Sequence, residues 1–113
     1  MFKLDLSPTF RAPVSFAVQG KDGTRQNHTF EADFRRLTSD EQEALSRRIV
    51  TDRLTDRQVA ELLLVGWHGI TNAAGNAIEF DPASLVQVLN VAGIGSAIVA
   101  AFQAAQPGAA LGN

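Results

Sequence analysis

The chain has 113 residues, 45% of them apolar, with a formal net charge of −2 and no cysteine. That is one domain's length with ordinary globular composition, and it excludes disulfides, thiolate chemistry and cysteine-type zinc sites. All ten Lys and Arg lie within residues 1–57, where nine acids nearly cancel them, whereas residues 58–113 hold three acids and no basic residue. No uncancelled basic face remains for nucleic acid.

Met1-Phe2-Lys3-Leu4-Asp5-Leu6 has an acid at position 5 and no long apolar run, so a signal peptide is not expected. Residues 2–6 alternate like a short strand. Val14, Phe16 and Val18 then alternate with polar or small residues, as do His28, Phe30, Ala32 and Phe34 beyond Gly20-Lys21-Asp22-Gly23. This pattern predicts a β-hairpin. A two-residue Asp22-Gly23 loop would set the two apolar faces on opposite sides of the sheet. A three-residue Lys21-Asp22-Gly23 loop, with Gly23 left-handed, pairs Phe16 with His28 and Val14 with Phe30 and builds one apolar face.

Thr38 with Glu41 predicts a capping box and a first helix carrying Leu45 and Ile49 on one face. Thr55 with Gln58 predicts a second, with Val59, Leu62, Leu63 and Trp67 as its apolar stripe and its end marked by Gly66 and Gly69. His68 then falls at a helix end. Asn72 to Asn76 reads as a turn leading to a short apolar strand at Ile78 and Phe80. Asp81-Pro82 opens a third helix with N-cap and N1 proline, carrying Leu85, Val88 and Leu89. Gly93 and Gly95 interrupt the apolar run. Ser96 is expected to cap a last helix with Ile94, Ile98 and Phe102 on one face.

The predicted fold class is therefore α+β: an N-terminal antiparallel hairpin or small sheet followed by three to four short helices. A single domain is expected over residues 1–106, β from about 2 to 36 and helical from about 39 to 105. Residues 107–113 are expected to be a flexible tail. The expected structural core is Phe16, Phe30, Leu63, Trp67, Ile70, Phe80 and Leu89.

Chemical motifs are scarce. His28 and His68 are the only histidines and lack metal-ligand spacing. No Gly-x-Ser-x-Gly elbow surrounds Ser96. Gly93-Ile94-Gly95 lacks the third glycine of a dinucleotide loop and the Gly-Lys-Ser/Thr of a phosphate loop. The turn at Asn72, Ala74 and Asn76 carries no carboxylate where calcium would need one. No catalytic residue, cofactor or metal is predicted. Residues 85–105 hold no charge and approach spanning length, but polar residues interrupt them and no basic anchor flanks them, so no membrane span is expected. Their small side chains suit close helix packing, leaving open whether they serve core alone or a partner.

The stretch Leu62 to Phe80, with Trp67-His68-Gly69-Ile70, Gly75 and Phe80, sits between an Arg- and acid-rich helix and two apolar helices. In this arrangement the chain resembles the tail assembly chaperones of long-tailed bacteriophages and prophages over most of its length. The resemblance implies a non-enzymatic protein. Such a protein binds the long helical tape measure protein and keeps it soluble while tail tube protein polymerises around it. It acts in the bacterial host cytoplasm and is not expected in the mature virion. The family often recruits tube subunits through a frameshift-extended form, and a homo-oligomer is left open. Ile94, Ile98 and Phe102 are the expected partner-binding residues. The competing readings are a structural tail subunit, such as a connector or completion protein, another small protein-binding regulator, and a small enzyme of unrecognised type, which the missing nucleophile and metal constellations disfavour.

Overall fold

The computed structural model of the chain describes residues 7–105. The strand expected at 2–6 and the tail expected at 107–113 lie outside them. Two long strands, β1 (Thr9–Gln19) and β2 (Arg25–Arg35), form the hairpin. Then come α1 (Ser39–Thr51), α2 (Asp56–Leu63), β3 (Leu64–His68), α3 (Pro82–Leu89) and α4 (Ile94–Ala105). The strands make one antiparallel sheet in the order β1-β2-β3, with the helices after the hairpin: α+β, as the sequence pattern predicts.

The hairpin register is the one built by the odd-length loop. Phe16 pairs with His28 and Val14 with Phe30. Gly23 N–H donates to Gly20 O at 3.0 Å, and Gly23 is left-handed at φ +85°. The even-numbered side chains Ala12, Val14, Phe30, Ala32 and Phe34 are buried on one face. Odd-numbered Arg11, Ser15 and Thr29 are exposed on the other.

Both capping boxes form. Thr38 Oγ1 accepts from Glu41 N–H at 3.1 Å and Glu41 Oε1 from Thr38 N–H at 2.9 Å. Thr55 Oγ1 accepts from Gln58 N–H at 3.2 Å and Gln58 Oε1 from Thr55 N–H at 2.8 Å. α1 buries none of its residues fully, and α2 buries Val59, Ala60 and Leu63.

The second helix ends earlier than its apolar stripe predicts. It stops at Leu63, and the next five residues are β3, so Trp67 and His68 belong to a strand. The cause is a β-bulge. Asp33 pairs with Gly66 but Phe34 with Leu64, leaving Val65 as the extra residue. The bulge lets Leu64 and Trp67, three apart, both reach the core. Four is a helical spacing, which is why Leu63 and Trp67 read as one helix face.

Gly69, at φ +91°, takes the chain out of the sheet. The Asn72 turn forms as expected. Asn72 Oδ1 accepts from Ala74 and Asn76 N–H, each at 3.0 Å, Gly75 is left-handed, and Thr71 bridges Ala77. Beyond it Ile78 to Phe80 form no strand. Their role is to seat Trp67, whose Nε1–H donates to Ile78 O at 2.7 Å and whose ring meets Phe80 edge-on at 4.8 Å.

Asp81 caps α3 through Ser84 N–H at 2.8 Å, with Pro82 at the first helical position. That bond, with a second from the Ser84 hydroxyl, holds the Asp81 carboxyl below its usual pKa range. Left-handed Gly93 makes the break between α3 and α4, which bend by 100°. Ser96 is therefore inside α4 rather than its cap, and its hydroxyl donates to Asp56 Oδ2 at 2.6 Å. Gly95 lets α4 approach the start of α2: a Cβ there would lie 3.2 Å from Arg57 N and Cα. Among the described residues no single helix is long and apolar enough to cross a membrane. α4 packs beneath β1 and against α2, and Phe102 closes a three-ring cluster, 5.7 Å from Phe10 and 5.4 Å from Phe34.

Candidate binding groove

The expected partner-binding face of the last helix is a core face. Ile94, Ile98 and Phe102 are 3%, 0% and 6% exposed. The stripe at spacing four meets the sheet and α2, because α4 is the helix that covers β1. Ile98 is fully enclosed, and Ile94 and Phe102 show only an edge to solvent, so the stripe offers no docking face of its own. Of the seven expected core residues, Phe30, Leu63, Trp67 and Leu89 are buried, while Phe16, Ile70 and Phe80 are only partly covered.

Two of those partly covered residues, Phe16 and Ile70, line an open groove of about 530 Å³. That volume falls within the range of about 300–1,000 Å³ typical of ligand sites. One wall is the hairpin end, with Phe16 and Val18 of β1 and His28 and Phe30 of β2. The other is Val88, Val91 and Ile94 around the α3–α4 turn. Gly69, Ile70, Thr71 and Ile78 close one end. Only His28, Thr29, Thr71 and Gln87 bring polar groups, and the lining has no carboxylate, Lys or Arg. The His28 ring lies 5.6 Å from that of Phe16.

Apolar side chains are left on the rim. Val18 and Val91 line the groove and are 37% and 42% exposed, and Val86 on α3 is 55% exposed. Sequence reasoning missed these three. α3 offered a signal: Leu85, Val86, Val88 and Leu89 leave it almost no polar face, and a helix apolar on several sides either lies wholly inside or presents apolar surface. The groove itself draws on residues more than seventy positions apart, which no local pattern reveals.

A polar cluster occupies the opposite face of the sheet. Arg11 Nε donates to Asp33 Oδ1 at 2.8 Å. His68 Nε2 lies 2.8 Å from Arg11 Nη2 and 3.0 Å from Asp33 Oδ2. One ring nitrogen either accepts from Arg11 or donates to Asp33, not both at once. Gly66 leaves the space for this carboxylate, since a Cβ there would meet Asp33 Oδ2 at 3.1 Å. The hydrogen bond from Arg11, reinforced by His68, holds the Asp33 carboxyl below its usual pKa range. Arg11 and His68 are more than half exposed, and the cluster ties the three strands together. His28 and His68 are on opposite faces, and among the described residues no three His, Cys, Asp or Glu side chains gather around a metal position.

No protein-family model, curated protein or solved structure matches this chain.

Proposed function

We propose that this chain is a non-enzymatic holding protein, a phage tail assembly chaperone that binds the tape measure protein in the host cytoplasm and keeps it soluble during tail tube assembly. The observation that carries the reading is the open groove, lined without carboxylate, Lys or Arg, with Val18 and Val91 exposed on its rim. A groove lined mostly by apolar side chains and open to solvent is where a ligand or partner segment is expected to sit. The mostly apolar lining, without carboxylate, Lys or Arg, favours an apolar segment. The partner is taken from the sequence resemblance, and the open groove supports a binding role.

Co-expression with the tape measure protein of the same phage tests this. The large protein is expected to be soluble only with this chain present, and the two to co-purify. Unchanged solubility and separate elution would overturn the reading. Recovery of the chain in purified virions would favour a structural tail subunit instead.

A further inference from the structure

β2 is a central strand for only part of its length. β1 pairs with all of it, but β3 pairs only with Glu31 to Phe34. At Gly69 the third strand's chain turns away, and a Cβ there would already lie 3.8 Å from Phe30 Cα. From Thr29 back to Arg25 nothing lies along that edge in the ladder.

The ladder's phase shows what this edge offers. Gly20 N–H donates to Thr24 O, and Arg36 N–H to Pro8 O. Even-numbered residues on this side of the hairpin therefore bond to β1, and the odd-numbered Arg25, Asn27 and Thr29 turn their N–H and C=O groups the other way. None of those groups has a partner among the described residues, and Arg25 to Thr29 are all exposed. Natural sheets blunt such edges with proline, inward charge or a covering element. β1 follows the rule: Pro13 stands mid-strand, opposite Glu31, where its missing N–H falls on the free edge. The open stretch of β2 has no proline and no covering strand, its one charge is Arg25 at the hairpin end, and the groove lies beside it, lined by His28, Thr29 and Phe30.

We infer that this edge and the groove together take an extended segment of the partner, which pairs with Arg25, Asn27 and Thr29 as an added strand. This rests on the groove being the binding site. A bound helix has already spent its backbone groups internally and could not satisfy these three residues. An extended chain does so and sends alternate side chains into the groove between the β2 wall and Val91. The charges name one more feature of the segment. Lys21 and Arg25 stand at the hairpin end and make no ion pair among the described residues. The segment therefore carries apolar residues at alternate positions and an acid on its outward face near Arg25.

Amide hydrogen exchange on the full chain separates strand from helix. One probe is a capped peptide of about six residues with valine at alternate positions, threonine between them and one terminal glutamate. The other is an amphipathic helical peptide with leucines one turn apart. The extended peptide is expected to slow exchange at Arg25, Asn27 and Thr29 by about tenfold or more, leaving the even-numbered amides already protected by β1 unchanged. Asn27→Pro removes one edge donor without touching a β1 bond, and is expected to weaken that peptide about five- to tenfold at unchanged melting temperature. Val91→Glu, at the groove mouth, is expected to abolish binding of either peptide. If only the helical peptide binds, in a Val91-dependent way and without edge protection, the added strand is refuted and the groove stands. If Val91→Glu alters neither peptide, the groove itself is refuted. Concentration-dependent protection of the same amides with no peptide present would assign the edge to a second copy and overturn the inference.

Discussion

Replacing Gly95 by alanine sets two effects against each other. Gly95 has ordinary helical backbone near the start of α4, so local propensity favours alanine by up to about 1 kcal/mol, less in a first turn. Packing opposes it. The new Cβ would sit 3.2 Å from both N and Cα of Arg57 and 3.5 Å from the Asp56 carbonyl carbon. All three are backbone atoms in the first turn of α2, held by the Thr55–Gln58 capping box, so no side chain can swing aside. Relieving the overlap means separating α2 from α4, and overpacking of this kind costs roughly 1–3 kcal/mol. The Ser96–Asp56 bond at 2.6 Å would lengthen with it. Packing wins, and the variant is expected to be less stable by about 1 kcal/mol, or about 4–8 °C in melting temperature. Urea unfolding followed by tryptophan fluorescence reads this directly, with an unchanged slope confirming that the unfolded state is not the cause. An alanine variant more stable than the native chain would show that α2 and α4 do not touch at this point.

Other consequences are equally open to test. Trp67→Phe keeps an aromatic ring against Phe80 but leaves Ile78 O without its donor; a loss of about 1–3 kcal/mol is expected in chemical denaturation, and unchanged stability would remove Trp67 as the anchor of the 70–80 turn. Ile98→Ser puts a hydroxyl at a fully buried position and should cost roughly 3–5 kcal/mol; a soluble variant with native melting that merely lost its partner would restore the face of α4 as a surface. For Arg11→Ala the sign follows from Asp33, whose folded pKa lies below its unfolded value of about 3.9. Its stabilising contribution is present above that value and lost as pH falls through the folded pKa, so the stability gap between native chain and variant should narrow from pH 7 to pH 3. An equal gap at both pH values would show that Arg11 acts through packing alone.

What could be read from the chain was whatever short-range chemistry decides. Thr38, Thr55 and Asp81 each hold their own helix start within three residues, and the period-two pattern around Gly23 allows one register that builds a single apolar face. The failures have particular causes. Leu63 ends α2 and Trp67 lies in β3, yet both are buried and four apart, so they imitate one helix face. Ile94, Ile98 and Phe102 do share a face of α4, but periodicity cannot say whether a face meets a partner or its own sheet. Burial against β1 decides that. The groove and the open edge of β2 exist only because β3 is short and α3 turns sharply into α4 across from the hairpin.

Co-purification of the tape measure protein with the native chain, with Val91→Glu and with Val50→Glu tests the groove as the partner's seat. Val50 is 79% exposed on α1 and lines none of the groove, so it controls for a new surface charge. Capture by the native chain and by Val50→Glu, lost only in Val91→Glu at unchanged melting temperature, is the predicted result. Equal capture by all three would contradict it and place the partner elsewhere on the molecule.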